Sequence, residues 1–197
     1  MTNSIQVIDN FLPNEVFEAF AYTCMTEAIY APSDSTAGVE ECDGSINKFG
    51  EDLTPVDQKN FAEVMFQALL FRRNPSYNIV HDVFSCYPLF YKKLEELLNV
   101  KRWWILRLNA TMGQSEPHQG RYHVDFDGEH GELFADTTTA ILYLNTNTGG
   151  TKFRDTGEFV QSKRNRLVTF PTHTYHAGVW STDAKLRFVL NMTFETK

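Results

Sequence analysis

The chain has 197 residues, of which 42% are hydrophobic and 22% are charged, and its formal net charge is −7 at pH 7. This length and composition suit one domain with a single well-filled core. The acidic charge argues against nucleic acid and anionic membranes as general partners. The sequence contains no apolar run near the roughly 18 residues of a membrane span, and its first residues do not have the pattern of a signal peptide.

The cysteines indicate the redox state of the cellular compartment in which the protein folds. Cys24, Cys42 and Cys86 are odd in number and scattered along the chain. A disulfide framework usually has paired cysteines, whereas proteins of a reducing compartment keep their thiols free. The sequence therefore predicts a cytoplasmic protein.

Helical spacing of apolar residues dominates the chain before residue 100. Helices are predicted to open at Pro13, Pro55 and Pro88, because proline is favoured in the first turn of a helix. Between the first two helices, residues 31–52 form a polar, glycine-containing stretch that is too long for a simple connection. This stretch is a candidate mobile cover over a site. The apolar stripes of the three helices are, in chain order, Val16, Phe17, Phe20 and Cys24; then Phe61, Val64, Met65, Ala68 and Leu69; then Leu89, Leu94, Leu97 and Leu98.

The period of the apolar residues changes to two after residue 100, as in strands with one buried face. Such strands predict a sandwich whose apolar outer side packs on the N-terminal helices and whose inner side lines a cavity. We expect one domain over residues 1–197, with a helical support region (1–100) and a β core that carries the site (101–197). The apolar sets are Ala140, Leu142 and Leu144 and then Phe188, Leu190, Met192 and Phe194; the opposite sets are Thr139, Ile141, Tyr143 and Asn145 and then Arg187, Val189, Asn191 and Thr193.

A candidate metal site lies in the last third of the chain, in the order His123-Val124-Asp125, His176 and Arg187. Two imidazoles and one carboxylate are the ligand set that holds ferrous iron in non-heme oxygenases and leaves coordination positions open. On a strand, the i, i+2 spacing of His123 and Asp125 directs both side chains to one face. Arg187 has a planar, permanently charged fork that can grip a carboxylate with two parallel hydrogen bonds. The pattern indicates an acidic co-substrate that chelates the metal.

Other residues compete for these roles. Asp127 shares the face of Asp125 if the strand continues, although a loop carboxylate near the cavity mouth is the preferred interpretation. Two basic clusters, Lys101-Arg102 and 163–166, are interpreted as solvated surface, with contact to an anionic substrate as the alternative. The competing histidines are His173, His118 and His130.

The ordered motifs resemble the iron(II)- and 2-oxoglutarate-dependent dioxygenases, particularly their prolyl 4-hydroxylase-like branch. The opening residues 5–13 are also similar to the first strand and turn of many small members, and the small size is similar to that of bacterial and phage members. The resemblance covers roughly the whole chain and is sharp from Leu106 onward. The motifs that carry it are His123-Val124-Asp125, Tyr143-Leu144-Asn145, Gly149-Gly150-Thr151-Lys152-Phe153, Pro171, His176-Ala177-Gly178 and Arg187.

The resemblance implies a fold and roles for single residues. The family's fold is a double-stranded β-helix, a jelly roll whose one sheet is supported by helices. Iron(II) is then held by His123, Asp125 and His176, and the last of these is preferred to His173 because it precedes Ala177-Gly178, eleven residues before Arg187. Arg187 would bind the distal carboxylate of 2-oxoglutarate, with Tyr143 bonded to the same carboxylate.

Asn109 is expected on the strand that leads toward the iron, where it could touch the co-substrate.

Two residues of this chain differ from those typical of particular branches of the family. Collagen-type hydroxylases often carry lysine at the position of Arg187, and nucleic-acid demethylases carry a second arginine six residues later, where this chain has Thr193. These departures argue against a narrow assignment to either branch.

The activity implied is oxidation of 2-oxoglutarate by dioxygen to succinate and carbon dioxide, coupled to hydroxylation of a substrate C–H bond, with ascorbate as an auxiliary reductant. A prolyl residue in a peptide is the first candidate substrate, and a free amino acid, another small metabolite or a nucleobase is the alternative. Expression in the cytoplasm, of the host cell for a phage protein, fits this chemistry. Two other classes remain: a cupin-like metalloenzyme that uses a zinc-bound water and leaves Arg187 without a task, and a jelly-roll binding module without turnover.

Overall fold

The computed structural model describes residues 4–26, 28, 31–34, 64–74, 79–82, 88–125 and 136–197. Within these ranges the chain forms two helices, α1 (Asn14–Thr26) and α2 (Pro88–Leu97). Neither of them is long and apolar enough to cross a membrane. The strands are β1 (Gln6–Ile8), β2 (Ala31–Asp34), β3 (Val64–Asn74), β4 (Ile79–Asp82), β5 (Val100–Met112), β6 (Thr137–Tyr143), β7 (Gly150–Phe153), β8 (Phe159–Gln161), β9 (Arg166–Pro171), β10 (His176–Val179) and β11 (Leu186–Thr196).

The strands form two antiparallel sheets. The large sheet has the order β1-β9-β6-β11-β5-β3-β2, with β4 also paired to β3, and the small sheet has the order β10-β7-β8. Side chains of both sheets meet in one apolar cluster, which includes Tyr143 and Val168 from the large sheet and Phe153 and Val160 from the small one. The two sheets therefore face each other, and the mainly β jelly-roll prediction is confirmed.

The outer face of the large sheet packs against the two helices. Leu142 and Leu190 from the sheet share a buried cluster with Phe17 of α1 and Leu94 of α2. This arrangement confirms the prediction that the uniformly apolar sides of β6 and β11 lie under the N-terminal helices. Burial of that apolar area is the main source of the driving force for this packing.

The inner face of the large sheet is half polar, as the alternation predicted. On β11, Arg187 lies opposite Thr111 of β5, and Val189 lies opposite both Asn109 of β5 and Tyr143 of β6. Antiparallel partners point to the same face, so these side chains share one side of the sheet. This inner face carries the candidate site.

The helix predictions are partly right. Helix α1 buries Phe17, Phe20 and Cys24 as predicted, and burial raises the pKa of the Cys24 thiol, which therefore belongs to the core. Helix α2 begins at Pro88 as predicted, but its buried residues are Phe90 and Leu94. Leu89 is 81% exposed, because a one-residue rotation of the stripe brings Phe90 to the core.

The predicted helix that begins at Pro55 is wrong from Val64 onward, where the chain forms strand β3. Residues 55–63 lie outside the described ranges. An unbroken apolar run such as 64–66 suits a buried strand as well as a helix, and periodicity alone does not separate the two. Pairing of β3 with both β5 and β2 decides in favour of the strand.

The candidate cover over residues 31–52 begins with strand β2, whose four residues pair with β3 and form part of the large sheet. These residues are therefore part of the sandwich. The rest of that stretch, together with Cys42 and Cys86, lies outside the described ranges.

The basic cluster 163–166 fastens the N-terminal segment to the sandwich. Lys163 Nζ lies 2.8 Å from Asp9 Oδ2, Arg166 Nε lies 2.6 Å from Asp9 Oδ1, and Arg164 pairs with Glu18. Hydrogen bonds from Arg166 and Lys163 hold the pKa of the Asp9 carboxyl well below its usual range. The cluster is thus engaged in intramolecular ion pairs, which the prediction of a solvated surface did not include.

Candidate active site

His123 and His176 are held side by side by the backbone. The amide of His123 donates to the carbonyl of His176 over 2.9 Å, and the amide of His176 donates to the carbonyl of His123 over 2.9 Å. They form an isolated antiparallel bridge, in which opposite residues direct their side chains to the same face. The two imidazole centroids are 4.5 Å apart.

Each imidazole is oriented by its own local backbone. His123 Nδ1 lies 3.2 Å from the carbonyl oxygen of Arg121, and His176 Nδ1 lies 3.0 Å from that of Thr174. A carbonyl oxygen only accepts, so each Nδ1 is the nitrogen that donates to the backbone. A metal-binding histidine commonly has this arrangement, which leaves Nε2 available as a ligand.

Asp125, which lies in a bend two residues after the His123 bridge and outside the named strands, completes the group. Its Oδ1 lies 3.9 Å from His176 Nε2. Its Oδ2 accepts a hydrogen bond of 2.8 Å from the hydroxyl of Thr139, whose oxygen lies 3.3 Å from that of Thr172. Thr139 has one hydroxyl proton, so the buried chain of donors runs from Thr172 to Thr139 to Asp125. The carboxylate is thereby held with one oxygen turned toward the histidines.

The protonation states of this group suit metal binding. Burial lowers the pKa of His123 to about 4, and the neighbouring His176 contributes in the same direction. Burial by itself raises the pKa of Asp125, but electrostatic interactions with His176, His123 and Arg107 and the hydrogen bond from Thr139 outweigh it, and the pKa is lowered. At neutral pH, His123 is therefore a neutral donor and Asp125 an anionic one.

The donor set fits a divalent transition metal. One ligand atom from each of His123, Asp125 and His176 lies within 4.8 Å of the others, and among the described residues these three form the group that could hold an ion. Two imidazoles and one carboxylate on one side of an ion leave its other side open, as in the facial triad of non-heme iron proteins.

Arg187 lies buried on the same inner face, only 5% exposed. Its Cζ is 5.5 Å from the centre of the Tyr143 ring, and a Cβ added at Gly149 would lie 3.0 Å from its Cδ and 2.6 Å from the Val179 carbonyl oxygen. Close approach of the Gly149 backbone therefore helps to position the guanidinium. Burial lowers the pKa of Arg187, which still stays protonated at neutral pH.

Three buried polar atoms around Arg187 lack a hydrogen-bond partner within the part of the chain that the structure describes. They are Arg187 Nε, Asn109 Oδ1 and Thr111 Oγ1. Thr111 lies directly opposite Arg187 on β5, and Asn109 is the next residue on that face. A buried polar atom without a partner is costly, so this cluster suits a polar ligand.

Tyr143 is fully buried and adjoins the guanidinium. Its hydroxyl lies 2.8 Å from Thr151 Oγ1 and 3.2 Å from the Val160 carbonyl oxygen. Burial raises its pKa, against the opposing charge of Arg187. The phenol is therefore neutral at pH 7. Its single proton is donated to Thr151 or Val160 here, and it would have to turn from them to donate to a ligand beside Arg187.

Two of the competing histidines, His173 and His118, lie elsewhere. His173 is exposed and borders a groove with Ser4, Gln6 and Asp136, away from the inner face. His118 packs edge-on against Trp180, with ring centres 5.0 Å apart. His130 and Asp127 lie outside the described ranges.

Sequence reasoning missed two residues of this region. Thr139 was placed on the inner face but given no task, and Arg107 was not considered. Arg107 lies opposite Asn191 of β11, and its charge contributes to the low pKa of both His123 and Asp125. The signal was present in the alternation, because Arg107 precedes Asn109 by two residues and so shares its face.

Comparisons with known proteins give a clear result for the fold. No family model matches the sequence. No curated protein matches it either. Solved structures do match, at low sequence identity and over nearly the whole chain.

A prolyl-4-hydroxylase from Pseudomonas putida is 15% identical, with a TM-score of 0.52 over 100% of this chain and 94% of that one. A prolyl hydroxylase from Trichoplax adhaerens, in complex with a hypoxia inducible factor oxygen degradation domain peptide fragment, is 11% identical, with a TM-score of 0.56 over 98% and 84%. A 2OG-Fe(II) oxygenase family oxidoreductase from Burkholderia pseudomallei is 9% identical, with a TM-score of 0.56 over 96% and 85%. The chain therefore has the jelly-roll fold seen in 2-oxoglutarate oxygenase structures.

Proposed function

We propose that the protein is an iron(II)- and 2-oxoglutarate-dependent dioxygenase that hydroxylates a C–H bond. The observation that carries the proposal is the pairing of two features on one inner face. The first is the group of His123, Asp125 and His176, and the second is the buried Arg187 with its unpartnered Nε. The fold shared with 2-oxoglutarate oxygenases supports the proposal.

Each residue then has a defined task. Nε2 of His123, Nε2 of His176 and Oδ1 of Asp125 would hold iron(II), which supplies the activation of dioxygen when bound. Arg187 would bind the distal carboxylate of 2-oxoglutarate with two parallel hydrogen bonds, and Tyr143 would donate to the same carboxylate.

The unpartnered oxygens around Arg187 are buried, so they suit a polar ligand. Asn109 and Thr111 would surround the co-substrate, since both oxygens point into the same buried region. Because Arg187 is buried, a guanidinium–carboxylate pair there would be screened less than a pair on the surface.

A cupin-like zinc enzyme is the second candidate, because its ligand set is the same. That function gives Arg187 no task, and a guanidinium that is 5% exposed is costly without an anionic partner. The buried cation thus favours the oxygenase.

The likeness to two prolyl hydroxylase structures supports a prolyl residue in a peptide as one substrate class. A free amino acid or another small molecule is the other class.

The test is succinate formation from 2-oxoglutarate by the purified protein with iron(II), ascorbate and dioxygen. We expect slow substrate-free turnover with iron and none with zinc, because zinc has no redox chemistry to offer. Metal-dependent hydrolytic or isomerase activity that ignores 2-oxoglutarate would instead favour the second candidate. Turnover of 2-oxoglutarate by zinc-loaded, iron-free protein would exclude the oxygenase mechanism.

Thr139→Val is expected to weaken iron(II) binding by about 10- to 100-fold, because the Asp125 carboxylate loses the hydroxyl that orients it. Valine keeps the shape of threonine and removes only the donor. Thr139→Ser restores the hydroxyl and should bind iron nearly as the parent does. Competition with a chelator measures the affinity, and equal affinity of the valine and serine variants would assign Thr139 a packing role alone.

Tyr143→Phe is expected to weaken binding of 2-oxoglutarate by about 1–3 kcal/mol, the value of one hydrogen bond to a charged acceptor. Thr151→Val is the matched control, because it removes a protein partner of the phenol and leaves the phenol in place. Calorimetric titration with 2-oxoglutarate under anaerobic conditions gives both affinities. If the two variants lose the same affinity, Tyr143 acts through the local structure of β7 and not on the co-substrate.

A further inference from the structure

Arg107 is a second arginine on the inner face, and the co-substrate site described above does not use it. It lies on β5 four residues before Thr111, which is opposite Arg187. Four residues of an antiparallel strand span about 13–14 Å, so the two arginines enter the cavity at well-separated levels.

The level of Arg107 is nearer the candidate metal ligands. Arg107 is opposite Asn191 on β11, and Asn191 is opposite Ile141 on β6. Thr139, whose hydroxyl holds Asp125, lies two residues before Ile141 on the same strand. The Arg107 side chain is partly buried, and its charge influences both His123 and Asp125. The guanidinium is therefore near the metal ligands, on the β5 side of the inner face and at a level between those of Arg187 and Thr139.

Asn191 adds a second polar group at this level. Its side chain is 8% exposed and shares the inner face with Arg107. A guanidinium offers five donors in a planar fork, and a neighbouring amide offers two more. The planar fork can bind both oxygens of a carboxylate with two parallel hydrogen bonds.

We propose that Arg107, with Asn191, binds a carboxylate of the primary substrate, which is a free amino acid or another small carboxylic acid. The inference rests on the proposed oxygenase function and deepens it. A carboxylate held beside the metal ligands places the C–H bonds that lie a few atoms from it at the reaction centre. An internal prolyl residue has no carboxylate, so a carboxylate-binding Arg107 favours the small-molecule class over prolyl residues within a chain.

The test is anaerobic calorimetry of the protein with iron(II) and 2-oxoglutarate, titrated with the common amino acids as free acids and as carboxamides. N-acetylated carboxamides represent internal peptide residues. We expect at least one acid to bind, and its carboxamide to bind at least about tenfold more weakly, since the ionic hydrogen bonds are lost.

Three variants locate the effect. Arg107→Gln should lose about tenfold or more of the acid's affinity and keep that of the carboxamide, and Arg107→Lys should be intermediate because it keeps the charge without the fork. Arg102→Gln is the control from the same strand, where Arg102 is exposed and pairs with Glu195. It should retain the full preference for acids.

The outcomes separate this inference from the proposed function. Failure of the parent protein to bind 2-oxoglutarate would count against the oxygenase itself. Binding of 2-oxoglutarate without any preference for acids, including no binding of any acid, would overturn the role of Arg107 alone. An Arg107→Gln variant that keeps the preference, or that loses 2-oxoglutarate as completely as Arg187→Ala does, would overturn it as well.

Discussion

Replacement of Arg187 by alanine is expected to weaken the apparent affinity for 2-oxoglutarate by roughly a hundredfold or more. Arg187 is only 5% exposed, so its pair with a carboxylate would be largely desolvated. Removal of one partner of such a pair costs about 3–5 kcal/mol, much of it because the other charge is left buried and unpaired. At about 1.4 kcal/mol per factor of ten, this cost gives two to three orders of magnitude.

Anaerobic titration of the iron(II) protein with 2-oxoglutarate measures this loss. Arg187→Lys should recover only part of the affinity, since an ammonium keeps the charge but not the planar fork. Iron binding should survive both substitutions, because Arg187 is not among the three grouped ligand residues. If Arg187→Ala binds 2-oxoglutarate as tightly as the parent, Arg187 is not the carboxylate partner and the co-substrate assignment loses its main support.

Alanine in place of His123, Asp125 or His176 is expected to abolish succinate formation and to remove tight iron binding. The ion would keep only two protein ligands in each case, and the structure offers no further His, Cys, Asp or Glu in that group among the described residues. His173→Ala should keep most of the activity, because His173 is exposed and borders a different groove.

Iron content after dialysis and the rate of succinate release report the two effects separately. His173→Ala is the matched control, being a histidine three residues from His176 in the same stretch of chain. Loss of metal in that variant together with retention in His176→Ala would reverse the assignment of the third ligand.

The parts of this fold that the sequence predicts well are those with local signals. Alternation along 138–145 and 187–194 identified β6 and β11 and assigned their two faces correctly. Proline at 13 and 88 marked the starts of both described helices. Strand β3 was missed because an unbroken apolar run has no period of its own, and its conformation is set by pairing with β5, about 40 residues later in the chain.

The candidate site also has a part that local sequence predicts and a part that depends on distant segments of the chain. His123 and Asp125 are close because they are two residues apart, and that proximity could be predicted, although residues 123–125 form a bridge and a bend and not the strand that the spacing was read on. The bridge that sets His176 against His123 joins residues 53 positions apart, and only the motif order indicated it. The tasks of Thr139 and Arg107 depend on which strands are neighbours, and strand order is not written in any one segment.

The backbone bridge between His123 and His176 has a consequence for how a metal ion enters and leaves. Fixing the backbone of one residue costs about 1–2 kcal/mol of conformational entropy. Here that entropy is lost when the protein folds and not when the metal binds. The two imidazoles thus act as a rigid bidentate chelator that exists before the ion arrives. Asp125 depends on one side-chain hydrogen bond from Thr139, so rotation of this carboxylate is the step that we expect to control the rate of metal exchange.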